Sequence, residues 1–456
     1  MRSSPPRASN NRFQWLHPIG YIGLAVVALL YTLQLASPLR VNNDVQRFLE
    51  MAWSYHCGQG FVVNGVIEQL PVGYPMLAGL IFDIGLQQAA WLTAVNLICI
   101  TGFAIFWWQI SCAVQSNKPP RLVGLMIVLL SWVLIKHAAL PLSEPLFLFV
   151  ATSALAALSA FWKQSKRFSG RLWILGLLLS LAATAVRTIG IALVVAALGT
   201  ILTHPLVRMR LYNIYRLRRN LLLRLATSLV VITGIAGLLI IRSDWFETQF
   251  LLPQSYFQTF LRRLGQTTFS TIGRALGWHG GDFIQVPLNV PLPTGKIPLV
   301  VNWLACAGSV SAATFLVSKT HETLRPISLY IAGYLAIYLF WPFADPRFLL
   351  PIVPWLILLG LSLFPFSALT SSTKRLVTVY LAVYFCLGFM ALVYSTWLSF
   401  SGLQFPERFG HGQLRDSYWT AFGAADRADP TKVDQRIVQL LCRHEPLAQI
   451  PHEKTP

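Results

Sequence analysis

Charge is scarce in this chain, and acidic charge is scarcest. Of 456 residues only 12% are charged, with 17 Asp and Glu against 36 Lys and Arg, while 55% are hydrophobic. That charged share is about half that of an ordinary soluble domain, and so much apolar surface cannot be hidden in one water-soluble core. Cysteine is also sparse: the six residues form no CxxC pair and no His/Cys cluster, which argues against a structural metal. Cys99, Cys112, Cys306 and Cys386 fall in apolar runs, where cysteine behaves as a small hydrophobe. Cys57 and Cys442 either pair in an oxidising compartment or stand as two free thiols. There is no internal repeat, no Walker loop and no dinucleotide-type glycine pattern, so nothing points to nucleotide use.

Long apolar runs are what the chain does have. Segments 89–110, 121–140, 144–162, 298–317 and 375–398 reach the roughly 18 to 20 residues that cross a bilayer. The net charge of +19 is gathered in short loops between them: Arg2, Arg7 and Arg12; Lys163, Lys166, Arg167 and Arg171; Arg208, Arg210, Arg216, Arg218, Arg219 and Arg224. Alternation of basic and less basic loops is the positive-inside pattern, and anionic lipid headgroups are its partner rather than nucleic acid. The expected architecture is an all-α polytopic protein of the plasma (inner) membrane with about eleven transmembrane helices, the later ones near 225–241, 298–317, 326–343, 347–366 and 376–397. A cytoplasmic tail, 1–18, precedes a membrane domain, 19–398, and a small extracytoplasmic tail, 399–456. The membrane domain carries a first outer loop, 37–72, and a large outer loop, 242–298. The piece 73–84 is too short to span, and the run 171–203 is too long for one helix and splits at Arg187 with its turn outside. The first apolar helix also has the basic leader of a signal peptide, but its run is long for one.

The most informative stretch is Val41-Asn-Asn-Asp-Val-Gln-Arg-Phe-Leu-Glu-Met-Ala-Trp-Ser-Tyr-His-Cys-Gly-Gln-Gly-Phe61. Val45, Phe48, Leu49 and Ala52 recur at helical spacing, which predicts a short amphipathic helix on the membrane surface. Asn43 or Asp44 would be its N-cap. That structural role competes evenly with a chemical one for Asp44. Leu70-Pro-Val-Gly-Tyr-Pro75 follows and leads into the next apolar piece.

The order of these features resembles the first outer loop of the C-type glycosyltransferase (GT-C) fold, in the dolichyl-phosphate-mannose–protein mannosyltransferase and aminoarabinose transferase group. Pro141-Leu-Ser-Glu-Pro-Leu-Phe147 and Asp345-Pro-Arg-Phe-Leu-Leu-Pro351 resemble two later helix starts of that group, and the likeness covers residues 12 to about 400. The resemblance implies a GT-C-like membrane enzyme that moves a sugar from a polyprenyl-phosphate donor to a lipid, glycan or protein acceptor outside the cytoplasm. It maps the family's acidic loop residue onto Asp44, as base or acceptor anchor. The family's Pro-Pro-Gly-Tyr-Pro is here Pro71-Val72-Gly73-Tyr74-Pro75, and Val45, Gln46 and Phe48 replace a second acid or tyrosine near Asp44.

The chemistry has plain demands. An acceptor hydroxyl needs a carboxylate to take its proton, and a phosphate leaving as an anion needs fixed cations. Arg187 interrupts an apolar run, a position that is functional or snorkels. Arg347 either reaches a phosphate or pairs with Asp345. Lys136 stands on the outer side, against the positive-inside trend. Arg187, Arg347 and Lys136 are therefore the expected phosphate ligands, with His137, Glu144, Asp345 and Tyr74 in support. The sequence points to no particular cofactor, and a divalent cation stays open. Isolated outer carboxylates can hold Mg²⁺ or Mn²⁺, but no ligand cluster calls for one. In the large loop Trp245, Phe246, Tyr256, Phe257, Trp278, His279 and Asp282 suit a sugar ring or the bilayer interface, and Arg262, Arg263 and Arg274 a phosphate or headgroups. The alternative is a multi-pass transporter or lipid flippase, which would carry its charges along a path across the membrane.

Overall fold

The computed structural model describes residues 16–68, 70–114, 118–164, 169–209, 269–292, 297–320, 322–340, 344–364 and 369–445. The expected span at 225–241, the basic cluster from Arg210 to Arg224, and Trp245, Phe246, Tyr256, Phe257, Arg262 and Arg263 lie outside the described residues, as do the side chains of Arg274 and Trp278.

Helix α1, Leu16–Leu33, leads into α2, Asn43–His56, the amphipathic element. Its buried residues Val45, Phe48, Leu49 and Ala52 recur at i, i+3, i+4 and i+7, as the sequence requires. The cap is a correction. Asn42, not Asn43 or Asp44, holds the extended backbone of the N-cap and accepts the Val45 amide at 2.8 Å. The reason is geometric: the cap side chain must reach an amide two or three residues on, and Asp44 already sits inside the first turn. A two-stranded hairpin follows, Val62–Val63 (β1) paired with Val66–Ile67 (β2). Asn64 and Gly65, both at positive φ, form the primed turn such hairpins favour.

Next come α3, Gly73–Asp83, α4, Ala89–Cys112, and then α5, Lys118–Leu129, with α6, Trp132–Ala138. The expected single span 121–140 is thus broken, with a bend of 55°. Asn289 fills the break: its side chain accepts the Trp132 amide at 2.7 Å and donates to the Leu130 carbonyl at 2.9 Å. A freed backbone group inside a membrane must find such a partner.

Helix α7, Ser143–Lys163, precedes α8, Gly170–Val186, and α9, Ile191–Thr203, which part at Arg187 where the run was expected to split. The remaining helices are α10, Phe269–Leu288; α11, Leu299–Lys319; α12, Arg325–Phe340; α13, Val353–Leu363; and α14, Ser371–Ser399. Three short helices close the described chain: α15, Phe405–Phe409; α16, Gln413–Ala421; and α17, Gln435–His444.

Among the described residues four helices, α4, α7, α11 and α14, are long and apolar enough to cross a membrane, or five spans if the bent α5–α6 pair counts as one. Other apolar helices, including Val353–Leu363 where a span at 347–366 was expected, are shorter, so the count of eleven is not reached on length alone. The chain is an integral membrane protein. Helix α7 is central, with 78% of its apolar window buried, whereas α11 and α14 bury 17%. Leu376, Val379, Val383 and Met390 form an exposed apolar row along α14, as a lipid-facing helix must.

Two cores divide the molecule. One joins α4 to α9 with α12 and α13. The other lies at the α2 end of the bundle, where Val45, Leu49, Tyr74 and Phe82 pack with Tyr418, Leu440 and Leu441. Of the expected tail 399–456, the described part, 399–445, therefore folds as a helical cap over α2 and α3. Its helices are too short to span, so burial from water drives this second core, at about 1.5 to 3 kcal/mol for each large side chain.

Candidate active site

Four chain segments meet beside the start of α2. Asp44 stands in its first turn, Glu144 in the first turn of α7, and Arg187 at the break between α8 and α9. Arg347 lies in the 3₁₀ turn before α13, whose N-cap is Asp345. Asp345 accepts the Arg347 amide at 2.9 Å, which fixes the direction in which the guanidinium leaves the backbone.

The charges interlock. Arg347 contacts Asp44 Oδ2 at 2.6 Å, Asp345 Oδ2 at 3.2 Å and Glu144 Oε1 at 3.6 Å. Arg187 contacts the same Glu144 oxygen at 2.9 Å. Both guanidiniums lie about 5 Å from the ring of Phe348, at 5.0 and 5.2 Å, where the aromatic face favours cations. Burial works against the charge of Arg347, yet the Glu144, Asp345 and Asp44 carboxylates outweigh it and hold its pKa above the ordinary arginine value.

Each residue named from sequence can now be placed. Glu144 is buried and bridges both arginines, which reach it from the α8–α9 break and from the 3₁₀ turn before α13. Arg187 does not snorkel: it is 8% exposed and paired. Arg347 pairs with Asp345 as one reading had it, but its shortest contact is Asp44. His137 is buried, with Nδ1 2.7 Å from the Val133 carbonyl. Lys136 is exposed, 6.0 Å from the Trp132 ring, and forms no ion pair among the described residues. Tyr74 packs on Phe48 at 5.8 Å, where the missing Cβ of Gly73 lets α3 approach the backbone of Ala185 and Val186 just before Arg187. The Tyr74 hydroxyl and Glu144 Oε2 are buried without a hydrogen-bond partner among the described residues, which marks a place that a ligand would complete.

Some neighbours escaped the sequence reading. Tyr330, Tyr334 and Tyr338 repeat at i+4 along α12, all buried, and that row was a usable signal. Tyr334 donates to the Phe348 carbonyl at 2.5 Å and Tyr338 to Asp282 at 2.6 Å. His279 and Asp282 are therefore buried beside Tyr338 rather than offered to solvent. Among the described residues no group of three His, Cys, Asp or Glu is placed to hold a metal. The carboxylates of the site are instead paired with arginine. A cleft of about 490 Å³ between α1, α4 and α5 is apolar, and none of these charged residues lines it.

No family model matches the chain. No curated protein matches it in sequence. Among solved structures, ArnT from Cupriavidus metallidurans bound to undecaprenyl phosphate superposes with a TM-score of 0.53 at 12% identity, covering 95% of this chain and 85% of that one. The fold is GT-C-like. The apo state of the same ArnT aligns with a TM-score of 0.45 at 14% identity. The resemblance read from the loop motifs is thus a resemblance of the whole bundle.

Proposed function

We propose that the chain is a membrane glycosyltransferase that takes a sugar from a polyprenyl-phosphate donor and passes it to an acceptor on the extracytoplasmic face. The observation that carries this reading is the meeting of Asp44 with Arg347, Arg187 and Glu144 from four separate segments. The transporter alternative would spread its charges along a path. The undecaprenyl phosphate held by ArnT, whose fold this chain shares, supports a lipid phosphate as the donor's anionic part.

Asp44 is the base. Its part-exposed carboxylate takes the acceptor hydroxyl proton as the oxygen attacks the anomeric carbon and the bond to the lipid phosphate breaks. Arg347 and Arg187 meet the phosphate as it leaves, with exposed Lys136 as a cation not committed to a carboxylate. In the resting site Arg347 occupies Asp44. Donor phosphate drawing Arg347 away would release the base only when a donor is present.

The test is transfer from a panel of radiolabelled polyprenyl-phosphate sugars in membranes carrying wild type or Asp44→Asn. Activity that collapses in the variant at equal expression supports the reading. Equal activity in both removes Asp44 from the chemistry, and no transfer from any donor moves the weight to transport.

A further inference from the structure

The three residues that precede the α2 cap are held with unusual completeness, and by distant parts of the chain. Arg40 is buried and gives its guanidinium to Ser37 at 3.0 Å, to the Ser395 hydroxyl and carbonyl at 2.9 and 2.7 Å, and to Ser399 at 3.0 Å. Its neighbours on both sides are tied to the C-terminal cap. The Tyr418 hydroxyl donates to the Leu39 carbonyl and accepts the Val41 amide at 3.0 Å, while Glu445 accepts the Leu39 amide. Next in the chain, Asn42 caps α2, and Asp44 follows two residues later.

The ordinary explanation for a buried tyrosine is packing. Tyr418 does pack, with ring centroids 5.4, 6.0 and 5.6 Å from Phe405, Phe409 and Phe422. Packing does not require the hydroxyl to bridge two backbone groups of another segment 377 residues away. A connector with free amides and carbonyls at 39 and 41 could swing as a loop, because it belongs to no helix or strand. Bridged at both residues, it enters α2 in one position, and Asp44 reaches Arg347 at 2.6 Å from there.

We propose that Tyr418 is a positioning residue: its hydroxyl clamps the backbone at Leu39 and Val41 and thereby sets where the Asp44 carboxylate stands relative to Arg347. The inference rests on the reading of Arg347 as a ligand of the donor phosphate. It assigns to the cap a role in the chemistry that the transferase reading alone does not require.

The test is a cycle on phosphate affinity, with undecaprenyl phosphate as the probe and the full chain in lipid nanodiscs. In wild type, Asp44→Asn should tighten binding about fivefold by removing a competitor for Arg347. With Tyr418→Phe, which keeps the ring and deletes only the hydroxyl, the carboxylate should already have left Arg347, so adding Asp44→Asn should give less than about twofold. Phe422→Leu loosens the same aromatic cluster without touching residues 39–41 and should leave the fivefold gain intact. Amide exchange at Leu39 to Asp44 should rise in Tyr418→Phe and stay at the wild-type level in Phe422→Leu. A gain that remains fivefold in Tyr418→Phe, with that variant folded, overturns the positioning role. A gain lost equally in Phe422→Leu reduces Tyr418 to packing. No gain from Asp44→Asn in any background removes the phosphate reading itself, and the inference with it.

Discussion

If the proposed function holds, replacing Asp44 with Asn should make the protein bind a polyprenyl phosphate more tightly while sugar transfer stops. The site holds three carboxylates, Asp44, Glu144 and Asp345, around two guanidiniums, so an arriving phosphate must displace an acid rather than fill an empty cradle. The Arg347–Asp44 contact is short at 2.6 Å, but the two side chains are 18% and 33% exposed. Two unit charges 4 Å apart in a medium of effective dielectric near 20 would attract by about 4 kcal/mol. Solvent screening and the remaining pairs of Arg347 with Asp345 and Glu144 bring the competition down to about 1 kcal/mol. That is roughly a fivefold gain in affinity. Asparagine keeps the shape, and α2 keeps its start because Asn42 supplies the cap. Undecaprenyl phosphate titrated into wild type and Asp44→Asn in nanodiscs reads the effect. Weaker binding in the variant would refute the argument, since it would make Asp44 a partner of the ligand rather than its competitor.

Arg347→Gln should weaken undecaprenyl phosphate binding tenfold or more in the same titration, and raised salt should narrow the difference. Glu144→Gln leaves Arg187 buried without its anion, which should cost about 3 to 5 kcal/mol and show as a clear fall in the thermal midpoint in detergent. The cap should respond to pH through its last residues. Burial pushes the Glu445 carboxyl up to about 7 and the His444 imidazole down to about 4. The Glu445 contribution is complete below its unfolded value of 4.5 and is lost as pH rises through about 7. That of His444 is complete above 6.5 and is lost as pH falls through about 4. The two slopes oppose each other between 4.5 and 6.5, so protection of α17 amides should be nearly flat there and fall only between 6.5 and about 7. Glu445→Gln should abolish that fall.

Much of this protein was legible from the order of its residues because the physics involved is local. A run of about 20 apolar residues reads as a membrane segment before any packing is known, since lipid offers no partner to an open backbone. The period of Val45, Phe48, Leu49 and Ala52 sets the buried face of α2 for the same local reason. Arg187 announced itself as the break in an apolar run, and the helix does part there. Of the charge pairing only the local Arg347–Asp345 contact was legible. Asp44, Glu144, Arg187 and Arg347 are individually visible as rare ionisable residues, but which acid meets which base depends on how helices scores of residues apart pack, and no spacing records it. Tertiary packing also decided that Asn289 would fill the gap between α5 and α6. Tyr418 and Glu445, in a tail with mixed charge and no motif, hold the approach to α2 only because the cap folds back across the bundle. Sequence alone determined a membrane-embedded helical chain with a surface helix bearing an acid. Where that acid points, and what answers it, was decided by contacts between segments hundreds of residues apart, whose energies enter only once the chain is closed on itself.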